Sequence, residues 1–258
     1  MKNKLKQLLS LWNLEIHNTV YRRQHELETK KQKTKWLENL NIKTVIDIGA
    51  NDGDFAVRIN EICPNAAIYS FEPLGDCYQQ LLTRTQHISR FEAFNSALGE
   101  KEEILKFFRN DFTPSSSFLE MDDLHKQSFT QTQNSRAVDI HVKRLDSFKD
   151  KIALEKPVLL KIDVQGYEEK VIKGGLEVLR EADILIVEAS MVKLYKEQML
   201  FDDMYKLLTG LGFVYQGEIS QIRNPSDGRI LQVDAIFIRQ SALTDLFEQP
   251  ERDIVAVS

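Results

Sequence analysis

Hydrophobic positions along the chain follow two different periods. Residues 1 to about 40 repeat apolar side chains near helical spacing (Leu5, Leu8, Leu9, Trp12, Leu14) with no Gly or Pro among them. That pattern predicts a helical arm. From Lys43 onward, short β-branched runs alternate with segments of helical period. "TVIDIGA" predicts a strand and residues 53–63 a helix. "AIYSFEP" (67–73) predicts a second strand, Asp76 to about Gln86 a helix, and "RFEAFNSALG" (90–99) a third strand. This βαβαβ rhythm implies a parallel, doubly wound sheet.

Residues 100–148 break the rhythm. "EILKFFRN" and "AVDIHVKRLDSF" alternate like antiparallel strands around a polar, helix-poor stretch. Long irregular inserts in compact domains often serve as lids or binding loops. The rhythm resumes with a strand at 157–164, a helix near 167–180, a strand at 183–190 and a helix ending about Leu211. "GFVYQGEI" and "LQVDAIFIR" then predict a closing antiparallel hairpin. The expected organisation is a helical arm (1–40), an α/β domain (41–243) with its insert at about 100–148, and a C-terminal tail (244–258).

Composition narrows the function. At 258 residues the chain can bury a full α/β core. A net charge of −5 argues against a nucleic-acid partner. No run of eighteen apolar residues predicts a membrane span, and the N-terminus lacks the apolar core and cleavage site of a secretory signal. The two cysteines, Cys63 and Cys77, read as buried thiols in a reducing, cytoplasmic compartment. The five histidines show no zinc-ligand spacing. The arm carries nine Lys and Arg against four Glu, opposite in sign to the remainder. It is expected to pack on the core or on a second copy of the chain in a homodimer, or to make weak peripheral contact with a membrane.

The turn after the first predicted strand, "GANDGD", holds the chemistry. A dinucleotide fingerprint would place glycines where Asn51 and Asp54 stand, and no phosphate-loop Lys follows. Asp47, Asp52 and Asp54 crowd the turn, and carboxylates there would repel a phosphate. The ligand implied has a positive centre, and S-adenosylmethionine fits, its carboxylate meeting the free N–H groups of a helix start. Glu72 ends the second strand, where an acid accepts hydrogen bonds from ribose hydroxyls. Pro73 stops that strand, and "NSALG" sets small residues where an adenine could lie. The expected cofactor residues are Asp47, Gly49, Ala50, Asn51, Gly53, Phe55, Glu72, Pro73, Ser96, Ala97 and Asp163.

With "VIDIGANDGDF", "YSFEP", "NSALG", "SSSF", "VKRLDSF", "LLKIDVQGYEEKVIKGG", "ILIVEAS" and "QVDAIFIR" in order, the chain resembles the FkbM-type family of class I S-adenosylmethionine-dependent methyltransferases. The resemblance covers roughly residues 43–240. It implies a seven-stranded, mostly parallel Rossmann-like sheet and O-methylation of a hydroxyl on a sugar, glycan or natural product.

A hydroxyl needs a base or a metal before it attacks. Asp163, at the carboxyl end of a central strand, is the expected base or orienter. Glu168 is expected to hold the acceptor or cap the following helix, and Glu188 is a third carboxylate on the acceptor side. No required metal is expected. Ser115, Ser116 and Ser117 offer hydroxyls to a polyol, and Phe118 a ring to stack on a sugar face. Two other readings stay open: a non-catalytic adenosyl-binding or scaffold protein, and a methyltransferase acting on an amine.

Overall fold

The computed structural model describes residues 34–111, 113–122, 124–125 and 135–247. Most of the predicted arm and tail, and the middle of the insert, lie outside those residues. The chain divides between Asn39 and Leu40. Of the first unit, residues 34–38 are helical.

The second unit is built on a seven-stranded sheet. Its strands are β1 (Thr44–Ile48), β2 (Ala67–Phe71), β3 (Phe91–Phe94), β7 (Val158–Ile162), β8 (Ile184–Ser190), β9 (Phe213–Arg223) and β10 (Ile230–Arg239). They run in the order β3-β2-β1-β7-β8-β10-β9. The first five are mutually parallel, whereas β10 is antiparallel to both β8 and β9. This is a Rossmann-like, mostly parallel sheet with its antiparallel hairpin at one edge. Every residue of β1, β2, β7 and β8 is buried. Their continuous Val/Ile/Leu character is what a parallel sheet covered on both faces requires.

Helices α1 (Asp54–Ile62), α2 (Gly75–Thr85), α3 (Glu168–Gly174), α4 (Leu176–Glu181) and α5 (Phe201–Gly210) fill the crossovers, and α6 (Leu243–Phe247) follows the last strand. The insert forms a smaller sheet from β4 (Ala97–Leu98), β5 (Glu103–Asn110) and β6 (Ser135–Lys143), in the order β4-β6-β5. A 3-10 segment, Leu145–Lys151, leads back to the main sheet. Its Phe148 packs edge-on against Phe71 at 5.0 Å between ring centroids. Among the described residues no helix is long and apolar enough to cross a membrane.

Three elements differ from the sequence pattern. The strand expected over 90–99 splits into β3 and β4, which belong to different sheets. Asn95 makes the break: its Nδ2 donates to the carbonyls of Glu72 at 2.9 Å and Pro73 at 3.0 Å. Ser96 N closes a turn onto Phe94 O at 2.9 Å. The helix expected near 167–180 is two helices joined at Gly174–Gly175. The helix expected to reach Leu211 covers only Phe201–Gly210, because residues 191–200 fold irregularly around the fully buried Tyr195.

The break at Gly174 has a packing cause. A Cβ there would sit 1.8 Å from the carbonyl oxygen of Gly99, so only glycine lets α3 approach the turn after β4. Gly174→Ala should therefore cost about 1–3 kcal/mol through overpacking. Calorimetric unfolding should show a melting temperature lower by several degrees, at about 2–4 °C per kcal/mol. An unchanged midpoint would mean that the two backbones can part without loss.

Candidate active site

The strand order reverses between β1 and β7, and open α/β sheets bind ligands at the carboxyl ends of strands beside such a switch. A cavity of about 460 Å³ opens there. Gly49 and Asn51 line it from the turn after β1, and Glu72 and Pro73 from the end of β2. Ser96 and Ala97 close it between β3 and β4, Asp163 lies beyond β7, and Glu188 belongs to β8. The insert adds Ser115, Ser116 and Phe118.

The glycines of the first turn are set by backbone packing. Gly49 has φ +83°, and a Cβ there would meet the Asp163 carbonyl oxygen at 1.9 Å. The ends of β1 and β7 touch only because no side chain intervenes. Gly53, also left-handed at φ +88°, leaves room for Leu81. Ala50 is buried, and its N–H donates to the Phe71 carbonyl at 3.0 Å. Glu72 then ties two turns together. Its carboxylate accepts from Asn51 N and from Leu74 N, both at 2.8 Å. Burial nevertheless raises its pKa from 4.5 to about 7.

Of the three acids in the first turn, only Asp47 contributes to the interior. Asp52 and Asp54 pair with Arg84, and Asp54 also meets Arg58 at 3.0 Å, all on the exposed side. Asp47 is fully buried behind the cavity wall, and neither carboxylate oxygen has a hydrogen-bond partner among the described residues. Burial lifts its pKa from 3.8 to about 6 against the pull of Lys161, whose Nζ lies 3.8 Å away. Lys161 reaches Asp163 Oδ2 at 3.0 Å and lies over the Phe55 ring at 5.1 Å. Its own burial opposes its charge, but Asp163, Asp47 and Asp234 outweigh that penalty and raise its pKa.

Asp163 Oδ1 accepts from Gln165 Nε2 at 3.0 Å, and the same nitrogen donates to both oxygens of Glu188 at 2.9 and 2.8 Å. Gln165 thus bridges the two carboxylates from a left-handed backbone, φ +56°. The Tyr195 hydroxyl donates to Gln165 Oε1 at 2.8 Å and lies 3.4 Å from His125 Nε2. Burial lowers the pKa of His125 to about 4, so that ring is neutral near pH 7. Burial, with Asp163, Glu168 and Asp234 nearby, holds Glu188 well above the usual carboxylate range.

Other expected site residues are committed to structure. Glu168 is buried and does not line the cavity: its Oε1 accepts from Val164 N and Gly166 N, both at 3.0 Å. It holds the turn that presents Asp163. Ser117 donates to the Gln165 carbonyl at 2.6 Å and accepts from Leu119 N at 3.0 Å. Ser116 Oγ accepts from Asn110 N at 3.0 Å. Phe118 packs on Phe107 at 4.8 Å and Tyr167 at 4.9 Å between ring centroids, with part of its surface on the cavity. The sequence reading missed Gln165, Tyr195 and His125 as site residues. Gln165 was visible in the turn "DVQGYE", but nothing local to it announced the bridge.

This donor set fits S-adenosylmethionine. Glu72, Asp163 and Glu188 face one cavity with Asp47 behind them, and Lys161 is the buried cation among them. Such a field favours a ligand carrying positive charge. Among the described residues no group of His, Cys, Asp and Glu is arranged to hold a metal ion.

Comparison with known proteins agrees with this geometry. Residues 47–215 match the family model described as the methyltransferase FkbM domain. The chain is 27% identical over 183 residues to the 2-O-methyltransferase NoeI of Sinorhizobium fredii, covering 67% of this chain and 73% of that protein. It is 29% identical over 153 residues to the methyltransferase sdnD of Sordaria araneosa, covering 50% of this chain and 59% of that one. The crystal structure of methyltransferase FkbM from Methylobacillus flagellatus KT aligns with a TM-score of 0.46 at 15% identity, over 77% of this chain and 44% of that one. The chain therefore spans less than two thirds of the fungal relative and less than half of the solved chain.

The buried acids make stability depend on pH. The carboxyls of Asp47, Glu72 and Glu168 bind protons more tightly folded than unfolded, with pKa values near 6, 7 and 7. Between about pH 4.5 and 7 the folded state holds protons on these three groups that the unfolded chain has released, so they lower stability as pH rises, by up to about 1.4 kcal/mol per unit each, which outweighs the opposite contribution of the single His125. The unfolding midpoint of the ligand-free protein should decline from pH 5 to 7.5. Glu168→Gln, which keeps the Oε1 acceptor and removes the charge, should flatten that decline. A wild-type midpoint that climbs through this window would contradict the assignment.

Proposed function

The chain belongs to the methyltransferase FkbM domain family, and from that premise we propose that it transfers a methyl group from S-adenosylmethionine to a hydroxyl on a sugar, glycan or other natural product. One observation carries the proposal: Asp163 is a cavity-lining carboxylate anchored on both oxygens, by Lys161 and by Gln165, at the switch point of the sheet. The relative NoeI, a 2-O-methyltransferase by name, supports oxygen as the accepting atom.

When bound, S-adenosylmethionine would supply an electrophilic methyl group on a sulfonium, with a neutral thioether as the leaving group. The protein's part is alignment, desolvation and removal of one proton. Orientation of the two reactants can supply on the order of 7–11 kcal/mol. Glu72 meets the ribose hydroxyls, and the Ser96–Ala97 turn offers a flat, small-residue wall to the adenine. Gly49 and Asn51 let the backbone of the turn lie close to the amino-acid end, and Asp47 with the acidic rim balances its positive charge. Asp163 accepts the proton that the hydroxyl loses, through the lone pairs left by Lys161 and Gln165. Glu168 and Gln165 are positioning residues: the first shapes the turn, the second fixes Asp163 relative to Glu188.

Two variants separate these roles. Glu72→Ala removes a charged acceptor and should weaken S-adenosylmethionine binding by about 1.5–3 kcal/mol, or roughly ten- to a hundredfold, in calorimetry. An unaltered dissociation constant in a folded variant would remove Glu72 from the cofactor site. Asp163→Asn keeps the shape but cannot take a proton at neutral pH. Methyl transfer from radiolabelled donor should fall at least a hundredfold, while donor affinity stays within about threefold, well short of the 1.4 kcal/mol of a tenfold change. Loss of donor affinity with normal turnover at saturation would make Asp163 a donor-binding residue and place the base elsewhere.

A further inference from the structure

A second, smaller cavity of about 110 Å³ lies beside the first, on the side of the closing hairpin. The two share Asp163, Glu188, Ile222 and Gln232, so they meet at the carboxylate pair bridged by Gln165. Pairing across the hairpin explains its walls. Gln232 stands opposite Ser190 of β8, and Asp234 opposite Glu188. On the other flank Asp234 stands opposite Ser220 of β9 and Gln232 opposite Ile222. Side chains two apart on a strand share a face, which puts Gln232 and Asp234 on the same side as Glu188.

Gln232 is the telling residue. It is 4% exposed, and its Nε2 has no hydrogen-bond partner among the described residues. A buried donor left without an acceptor costs about 1–3 kcal/mol, and such a group in a native protein calls for an explanation. The space beside it can hold several oxygen-sized groups, since a water needs about 10–15 Å³ of such volume. Around it stand groups that accept hydrogen bonds, namely Asp163, Glu188 and Asp234 with its partner Ser220.

The missing partner is thus an acceptor atom, set among groups that also welcome a donor. A hydroxyl is both at once. A protonated amine has only donors, and it would satisfy the carboxylates but leave Gln232 Nε2 unpaired. We propose that this cavity is the acceptor subsite, and that Gln232 selects a neutral polyol or sugar over an amine by donating to an oxygen next to the hydroxyl that is methylated. The proposal rests on the methyl-transfer reading above and names the part of the site that sets its substrate class. It also moves acceptor recognition from the serines of the insert, where Ser116 and Ser117 are held by backbone, to the hairpin. Burial raises the pKa of Asp234 and of Glu188, chiefly by desolvation, which suits a neutral ligand better than a cationic one. The half-exposed Ile222, shared by both cavities, offers an apolar surface to the C–H face of a sugar ring.

The test uses the full chain saturated with S-adenosylhomocysteine and ligand-observed NMR. The probes are methyl glycosides of glucose, fucose and rhamnose, with methyl glucosaminide as the amine counterpart. At least one neutral glycoside should bind, and at least tenfold more tightly than the glucosaminide. Gln232→Leu should weaken that glycoside at least tenfold, leave S-adenosylhomocysteine affinity within twofold, and leave the melting temperature equal or higher, because it removes an unpaired buried donor. Gln232→Met, which keeps the length of the side chain and loses the N–H, should give the same loss and covers the case in which the leucine variant misfolds. The proposal is overturned if no glycoside binds the loaded protein, if the glucosaminide binds best, or if both variants keep wild-type glycoside affinity. A wild-type chain that fails to bind S-adenosylhomocysteine at all would instead sink the methyl-transfer reading itself.

Discussion

Lys161 is the buried cation on which the carboxyl edge of this sheet depends. Asp47, Glu72, Asp163, Glu188 and Asp234 all collect near the ends of β1, β2, β7, β8 and β10. Isolated buried carboxylates are strongly disfavoured, and so many together would repel one another. Lys161 stands between β1 and β8, aligned with Asp47 on one neighbour and Ile186 on the other. From there its ammonium reaches Asp163 directly and Asp47 at longer range. The remaining imbalance is met by protons, which is why burial drives several of these acids upward in pKa. A site arranged in this way stores affinity for positive charge in its ligand-free state.

The insert is held to this edge through Gln165. Its backbone carbonyl takes the Ser117 hydroxyl, its side-chain oxygen takes the Tyr195 hydroxyl, and its amide nitrogen holds Asp163 and Glu188. One residue therefore links the insert, the irregular segment after β8 and the two carboxylates. Its left-handed backbone is maintained from below by Glu168, which fastens the N–H groups on either side of it. Strained backbone positions persist only where the surroundings over-determine them, and this turn is fastened on every side.

The legible parts of the molecule were those written in local pattern. The buried strands read as apolar runs, the hairpin as two alternating segments, and the turn at Gly49 as a tight strand-to-helix passage. Glu72 was readable as a strand-end acid, and the structure sets it on the cavity wall after β2. The sequence misled where a local signal had two structural uses. "RFEAFNSALG" looks continuous, yet Asn95 spends its amide on the Glu72 and Pro73 carbonyls and sends the chain into another sheet. The serine run looked like an acceptor surface, but Ser116 and Ser117 satisfy backbone groups. Asp52 and Asp54 looked like cavity acids, yet Arg84, about thirty positions on, draws them outward. Gln165 was legible only as part of a turn and Tyr195 not at all, because the contacts that join them to Glu188 and to each other come from residues twenty or more positions apart.

These observations bear on how a cationic donor and a neutral acceptor can share one acidic cleft. If every carboxylate were ionised, the field would favour cations throughout, and an amine would compete with the donor for the same charge. Partial protonation divides the cleft instead. Near Glu72 and Asp47, a single arriving positive charge can displace protons, because pKa values near 6 and 7 leave those two groups poised close to neutrality. Beyond Gln165, burial and the carboxylates beside them raise the pKa of Asp234 and hold Glu188 well above the usual carboxylate range. A neutral carboxyl donates as well as accepts, so that side of the bridge offers hydrogen bonds without a strong field. The Gln165 amide, uncharged and fixed, is the partition: it joins the two regions mechanically while adding no charge to either.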